Sequence, residues 1–226
     1  MSSSSNFLSS TVGRKFAMAL SALFLVLFLL SHLSINMLSV ISPDAFNEAS
    51  HFMGTNPLIQ FAMQPVLIFA VIFHFVMGFV LELKNKSSRP IKYAKKDKGN
   101  ATWASQNMIY SGLVILAFLG LHFYDFWIPE VTTKYIQGDM TGLLANGEFR
   151  YYEELVHKFQ DPIRVVFYVI SFVLLALHLL HGFQSSFQSM GVNNKFTPSI
   201  KKFTEAYAIL IPLGFIFIAI YHFINH

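Results

Sequence analysis

Apolar positions in this chain gather into five long runs separated by polar stretches. The runs cover about residues 16–41, 61–83, 102–128, 162–187 and 203–224. Each is near the roughly 20 residues that a helix needs to cross a bilayer. The pattern predicts an all-α integral membrane protein: five transmembrane helices in one bundle, forming a single domain over residues 1–226. Punctuation supports the boundaries. Asp161-Pro162 reads as an N-cap followed by proline in the first helical turn. Thr197-Pro198 reads the same way for the fifth helix, which is expected to begin as an interfacial turn. Pro129 is expected to stop the third helix, and Pro212 to kink the fifth. The first run follows Arg14-Lys15 but is too long for a signal peptide, and no small-residue cleavage site follows it. No internal repeat is visible.

Composition sharpens the class. Charged residues make up 12% of the chain and hydrophobic ones 54%. Soluble domains carry about 25% charged residues. The absence of cysteine excludes disulfides, thiolate zinc sites, iron–sulfur ligation and covalent c-type haem attachment. Any metal is left to histidine, carboxylate or thioether. The net charge of +4 matters less than its placement, and no nucleic-acid partner is expected.

Of the 16 Lys and Arg residues, 12 fall before the first run, between the second and third, or between the fourth and fifth. The other side holds Lys134, Arg150, Lys158 and Arg164, with Asp44, Glu48, Glu130, Asp139, Glu148, Glu153 and Glu154. Positive residues stay on the cytoplasmic side. The N-terminus is therefore expected in the cytoplasm and the C-terminus outside, in a multi-pass protein of the cell inner (cytoplasmic) membrane. The 129–161 segment is then an external loop, with Tyr151 and Tyr152 at headgroup level.

Four of the five runs carry a histidine in oily surroundings: His32 in "LFLLSHLSINML", His74 in "IFAVIFHFVMGF", His122 in "LAFLGLHFYDF", and His178 with His181 in "LLALHLLHGFQ". An imidazole in hydrocarbon is costly unless something satisfies it. A lone one is usually a helix–helix hydrogen bond. Four helices at matched depths call for a shared cause. At about 1.5 Å per residue, His32 lies roughly 25 Å from Lys15 and His122 near the outer end of its helix. His74 lies about 15 Å above Lys84. The set splits into an outer pair, His32 with His122, and an inner pair, His74 with His178 or His181. Opposed imidazoles across a flat macrocycle are the bis-histidine arrangement of b-type haem, built from facing helices. Depth slightly favours His178 as the partner of His74. It lies three residues from His181, so the two rings point about 60° apart on one helix. Ser111-Gly112, Gly120, Gly78 and Gly182 are small residues that let a porphyrin approach the backbone. His51, His157, His222 and His226 are expected in loops or at the outer surface, as solvated side chains.

The segments "GRKFAMALSALFLVLFLLSHLSIN", "IFAVIFHFVMGF", "WASQNMIYSGLVILAFLGLHFYDFW" and "LHLLHGFQSSFQSMG" resemble, in order and topology, the di-haem cytochrome b anchor subunit of succinate:quinone oxidoreductases and fumarate reductases. The resemblance is to the single-subunit, five-helix kind that works with menaquinone, and it covers roughly half the chain. It implies two b haems, an outer one held by His32 and His122 and an inner one held by His74 and His181. His181 is chosen because the family ligand precedes a glycine, as His181 precedes Gly182; His178 becomes an alternative ligand or a propionate contact. In some fumarate reductases a glutamate precedes that histidine in a proton path. Here Leu180 and Leu179 stand there, so that path is not expected.

The resemblance also implies partners: a flavoprotein subunit and an iron–sulfur subunit on the cytoplasmic face, where the basic 84–98 loop suits docking or lipid headgroups. Electrons are expected to pass between the iron–sulfur subunit and menaquinone. The chain has no Gly-rich dinucleotide motif, so the dicarboxylate chemistry lies in a partner and no catalytic residue is assigned. Quinone needs an apolar slot with a few polar groups. Asn36, Gln60, Gln64 and Asp125 are candidates near the outer haem, with Gln184, Ser185 and Trp103 as alternatives near the inner face. Three other readings compete: a di-haem b subunit of another quinone-linked oxidoreductase, such as nitrate reductase, whose ligands concentrate on two helices; a haem-free transporter using histidine as a proton relay, which requires intramembrane carboxylates; and a bare structural anchor. Glu82, Asp125 and Glu205 lie only near the ends of the runs.

Overall fold

A computed structural model describes residues 10–87 and 108–226. The predicted start of the third run, Trp103, and Arg89, Lys92, Lys95, Lys96 and Lys98 of the basic loop lie outside the described residues. Helix α1 (Thr11–Ile41) starts from Ser10, whose hydroxyl accepts the Gly13 N–H at 2.9 Å. A short α2 (Pro43–Thr55) follows, capped by Ser42. A π turn, Ile59–Met63, leads into α3 (Gln64–Ser87). Helix α4 (Met108–His122) continues through a π turn (Phe123–Trp127), an α turn (Ile128–Val131) and a second π turn (Thr132–Ile136). Helices α5 (Tyr151–Phe159), α6 (Pro162–Ser189) and α7 (Thr197–Asn225) complete the chain. Among the described residues, five segments are long and apolar enough to cross a membrane: Thr11–Ile41, Ile59–Asn85, Met108–Ile136, Pro162–Ser189 and Thr197–Asn225.

Asp161 caps α6 as expected, accepting the Ile163 N–H at 2.9 Å. Other boundaries differ. The third run does not stop at Pro129. The π turn before it hands the Ile128 N–H to the Phe123 carbonyl, and Pro129 then falls in the first turn of a fresh α segment, where its missing N–H is tolerated. The fifth helix starts at Thr197, without a side-chain cap; the Thr197 hydroxyl instead accepts the Asn194 N–H at 2.9 Å. It runs on through Pro212, which is buried. The segments after the first and before the fourth span hold two helices, α2 and α5, whose apolar sides bury Phe46 and Leu155 with Phe159.

Contacts fix the helix directions. Tyr207 donates to the Val26 carbonyl and Ser39 meets His222, so α1 and α7 run parallel. Ser21 meets His74, which sets α3 antiparallel to α1. Ser111 meets His178 and Asp125 meets Tyr168, which sets α4 antiparallel to α6. The packed centre is α6 on α7. Val165, Tyr168, Phe172, Leu179 and Phe183 face Tyr207, Ala208, Ile211, Phe215 and Ala219, all buried. Ala208 and Ala219 have no exposed surface, which lets the helices close up. Helices α3 and α4 are peripheral and show large apolar side chains such as Phe69, Ile72 and Tyr110 outward, as a lipid-facing surface requires.

Candidate functional site

The four helices α1, α3, α4 and α6 bring imidazoles together in two places. At one level the rings of His74 and His178 stand 6.3 Å apart, centre to centre, inclined by 65°. At the other level His32 and His122 stand 5.8 Å apart, inclined by 87°. Along α1, Ser21, which touches His74, is eleven residues from His32. The two levels are thus about 16 Å apart at 1.5 Å per residue.

The partners of His74 and His178 are informative. Nδ1 of His74 lies 3.2 Å from Ser21 Oγ, and that hydroxyl donates to the Met18 carbonyl at 2.8 Å. Nδ1 of His178 lies 3.2 Å from Ser111 Oγ, which donates to the Met108 carbonyl at 2.9 Å. A hydroxyl has one hydrogen. With it spent on a backbone carbonyl, the oxygen is left to accept from an Nδ1–H, the tautomer in which Nε2 is bare. Two different helices supply the same device. A ligating histidine is usually held in this way through its other nitrogen.

His181 lies one turn along α6 and is half-buried. The ring that meets His74 is that of His178, not that of His181. Gly112 sits against His178: a Cβ there would lie 3.7 Å from its Cε1. A Cβ at Gly182 would meet the Met108 methyl at 2.9 Å, whereas one at Gly120 would meet nothing within 4 Å.

The outer rings lie in an aromatic sleeve. Phe28 stacks on His32 at 5.3 Å, and Phe215 sits 5.7 Å from it. Phe118 stacks on His122, with Phe126 and Tyr168 alongside. Nδ1 of His122 is buried and takes no hydrogen bond.

These residues fit a b haem. A metal–imidazole bond is about 2 Å and the ring centre lies about 1 Å behind the nitrogen, so rings facing each other across one iron stand about 6 Å apart. Among the described residues no three His, Asp or Glu converge as they would for zinc or non-haem iron. The donors come in pairs, which suits a macrocycle that supplies the remaining bonds.

The polar candidates for quinone are not brought together. The Asn36 amide donates to its own-helix His32 carbonyl at 2.8 Å and lies 3.5 Å from both ring nitrogens of His32. Gln60 donates to the Gly54 carbonyl and accepts from Tyr135 at 3.2 Å. Gln64, Gln184 and Ser185 are part-exposed on α3 and α6. Asp125, 2% exposed, accepts from the Tyr168 hydroxyl at 2.9 Å and lies 3.0 Å from Arg164 Nε.

Three features escape a sequence reading. His222, expected as a solvated residue, has no exposed surface; its Nε2 lies 2.9 Å from Ser39, whose hydroxyl donates to the Asn36 carbonyl. Tyr152 and Tyr221 cover the ring, and burial on the parallel α1–α7 contact is the physical reason for the difference. Arg164 and Tyr168 clasp Asp125, a pairing across α4 and α6 with no signature in either segment. At the outer end, Glu130 holds both Lys134, at 2.5 Å, and Arg150, and Arg150 also pairs with Glu154 at 2.6 Å. Lys134 donates to the Gly54 carbonyl as well, and Asn47 accepts the Tyr152 N–H at 2.8 Å. Tyr151 and Tyr152, expected at headgroup level, are thus part of a folded outer cap.

The chain is similar to the succinate dehydrogenase cytochrome b558 subunit of Bacillus subtilis (strain 168), with 22% identity over 186 residues that span 82% of this chain and 81% of that one. It is a distant homologue of that subunit. No family profile and no solved structure matches.

Proposed function

We propose that this chain is the membrane-anchor cytochrome b subunit of a succinate:quinone oxidoreductase, carrying two b haems between an iron–sulfur partner on the cytoplasmic face and menaquinone in the membrane. The paired imidazoles at two levels carry the reading, supported by the likeness to the Bacillus subtilis subunit. Bound haem supplies one-electron carriers within the bilayer.

The chain's own residues hold and orient. His32 and His122 would hold the outer haem. His74 and His178 would hold the inner one, a reading supported by their meeting rings and by the serine hydroxyl at each Nδ1. His181, which the family resemblance favoured, has neither feature and is left to contact the haem edge. Phe28, Phe118 and Phe215 exclude water from the outer rings. The N-terminus and the basic loop face the cytoplasm, where the flavoprotein and iron–sulfur subunits dock. Menaquinone is the substrate, with Asn36, beside the His32 ring, as one candidate contact.

The test is the dithionite-reduced absorption spectrum of the purified protein. Two b haems per chain are expected, together with co-purification of a flavoprotein and an iron–sulfur protein. A colourless protein would favour a haem-free transporter or anchor.

A further inference from the structure

Asp125 and His122 each bury an atom that has no partner. Asp125 Oδ2 is taken by the Tyr168 hydroxyl and Arg164, but Oδ1 is buried without a hydrogen bond, and so is Nδ1 of His122. The two residues lie three apart on one helical run, and both turn to Tyr168. Its ring stands 6.4 Å from that of His122 while its hydroxyl holds Asp125. A buried donor or acceptor left unmade costs about 1–3 kcal/mol. One acceptor and one donor against the same tyrosine can be satisfied jointly, through one water or a small turn of either side chain.

We propose that Asp125 is a positioning residue for His122, giving the ligand of the outer iron a carboxylate–histidine support that lowers that haem's reduction potential. This rests on the reading that His32 and His122 bind a haem. When His122 ligates through Nε2, Nδ1 carries the proton, and the Asp125 carboxylate is the nearest charged acceptor on its own helix. A carboxylate behind the ring makes the imidazole more basic and stabilises the oxidised, more positive iron. At the inner level the same positions are filled by the neutral hydroxyls of Ser21 and Ser111. Arg164, with Asp161 at 3.8 Å, moderates the Asp125 charge without removing it.

The test is a potentiometric titration of haem absorbance in the intact membrane complex, with the outer haem identified as the one lost in His32→Ala. Asp125→Asn is expected to favour reduction of the outer haem by tenfold or more, which is about 59 mV for one electron, with the inner haem unmoved. Arg164→Gln is expected to shift the same haem the opposite way, because it leaves the carboxylate uncompensated. Tyr168→Phe keeps the charge and most of the packing. It is expected to lower the same midpoint, and it decides the matter if Asp125→Asn does not assemble. A purely structural clasp would move both haems alike, shift all variants in one direction, or shift nothing, and any of these overturns the proposal. Absence of haem from the unmodified protein would instead overturn the reading on which it stands.

Discussion

Ser111 Oγ lies 3.2 Å from Nδ1 of His178 while donating its only hydrogen to the Met108 carbonyl. Ser21 does the same for His74 on the opposite helix. Each inner ring is thus held at Nδ1 by a serine hydroxyl from a neighbouring helix. Removing such a support typically costs 10–100-fold in metal affinity. Ser111→Ala and Ser21→Ala are each expected to weaken retention of the inner haem by that order and leave the outer haem in place. Ser171→Ala, on the same α6 but bonded only to its own-helix Phe167 carbonyl, is expected to leave both haems unchanged. Haem content after dilution into apomyoglobin, a strong haem acceptor, is the measurement.

Glu130 joins the cations of this cap. It faces Lys134 and Arg150, whose side chains are 1% and 7% exposed. Glu130→Gln leaves Lys134 without its carboxylate and Arg150 with Glu154 alone, and breaking a buried pair costs about 3–5 kcal/mol. Thermal unfolding in detergent is expected to show that loss. Adding Lys134→Met is expected to restore part of it, since the residual charge then disappears. Equal stability of Glu130→Gln and the unaltered protein would mean that the cap is not held this way.

Tyr151 carries a pH signature. Burial, and then the Glu130 carboxylate nearby, push its phenol up to about 12. An unfolded tyrosine titrates near about 10. The neutral phenol is favoured in the fold, so its contribution is complete below about pH 10 and is lost as pH rises through about 12. Alkaline titration of tyrosinate absorbance is expected to show one fewer late-ionising group in Tyr151→Phe than in the unaltered protein. That variant is also expected to flatten the loss of stability between these two pH values.

Helices α1 and α7 approach closely at Gly214. A Cβ there would lie 2.9 Å from both methyl carbons of Leu33, the residue after His32. Overpacking of this kind costs about 1–3 kcal/mol. Gly214→Val is expected to lower the unfolding temperature and Leu33→Ala to rescue it in the double variant, as coupled neighbours do. Gly214→Ala is expected to be milder, since the end of Leu33 can turn away.

Much of this architecture is legible in the sequence because a bilayer imposes length and oiliness on every crossing segment. The five runs and the two depth levels of His32, His74 and His122 follow from that constraint alone. The choice between His178 and His181 does not. The two differ by 60° of rotation on one helix, and only the neighbouring helix shows that it is the His178 ring that lies against Ser111 and Gly112. The same limit hides His222. Nothing in "AIYHFINH" announces that α7 runs parallel to α1 and buries that ring against Ser39. The outer helices α2 and α5 are short, polar on one side and carried in loops, so they lack the long apolar run that marks the others. Pro129 misleads because a π turn upstream shifts the hydrogen-bond register before the proline arrives.

The central claim is that each haem is gripped by the two imidazoles whose rings meet. The most direct test is the number of haems per chain in single histidine variants, counted from the reduced spectrum. His74→Ala and His178→Ala are each expected to leave one haem, the same one, while His181→Ala keeps two. One haem remaining in His181→Ala, with two in His178→Ala, would contradict the account.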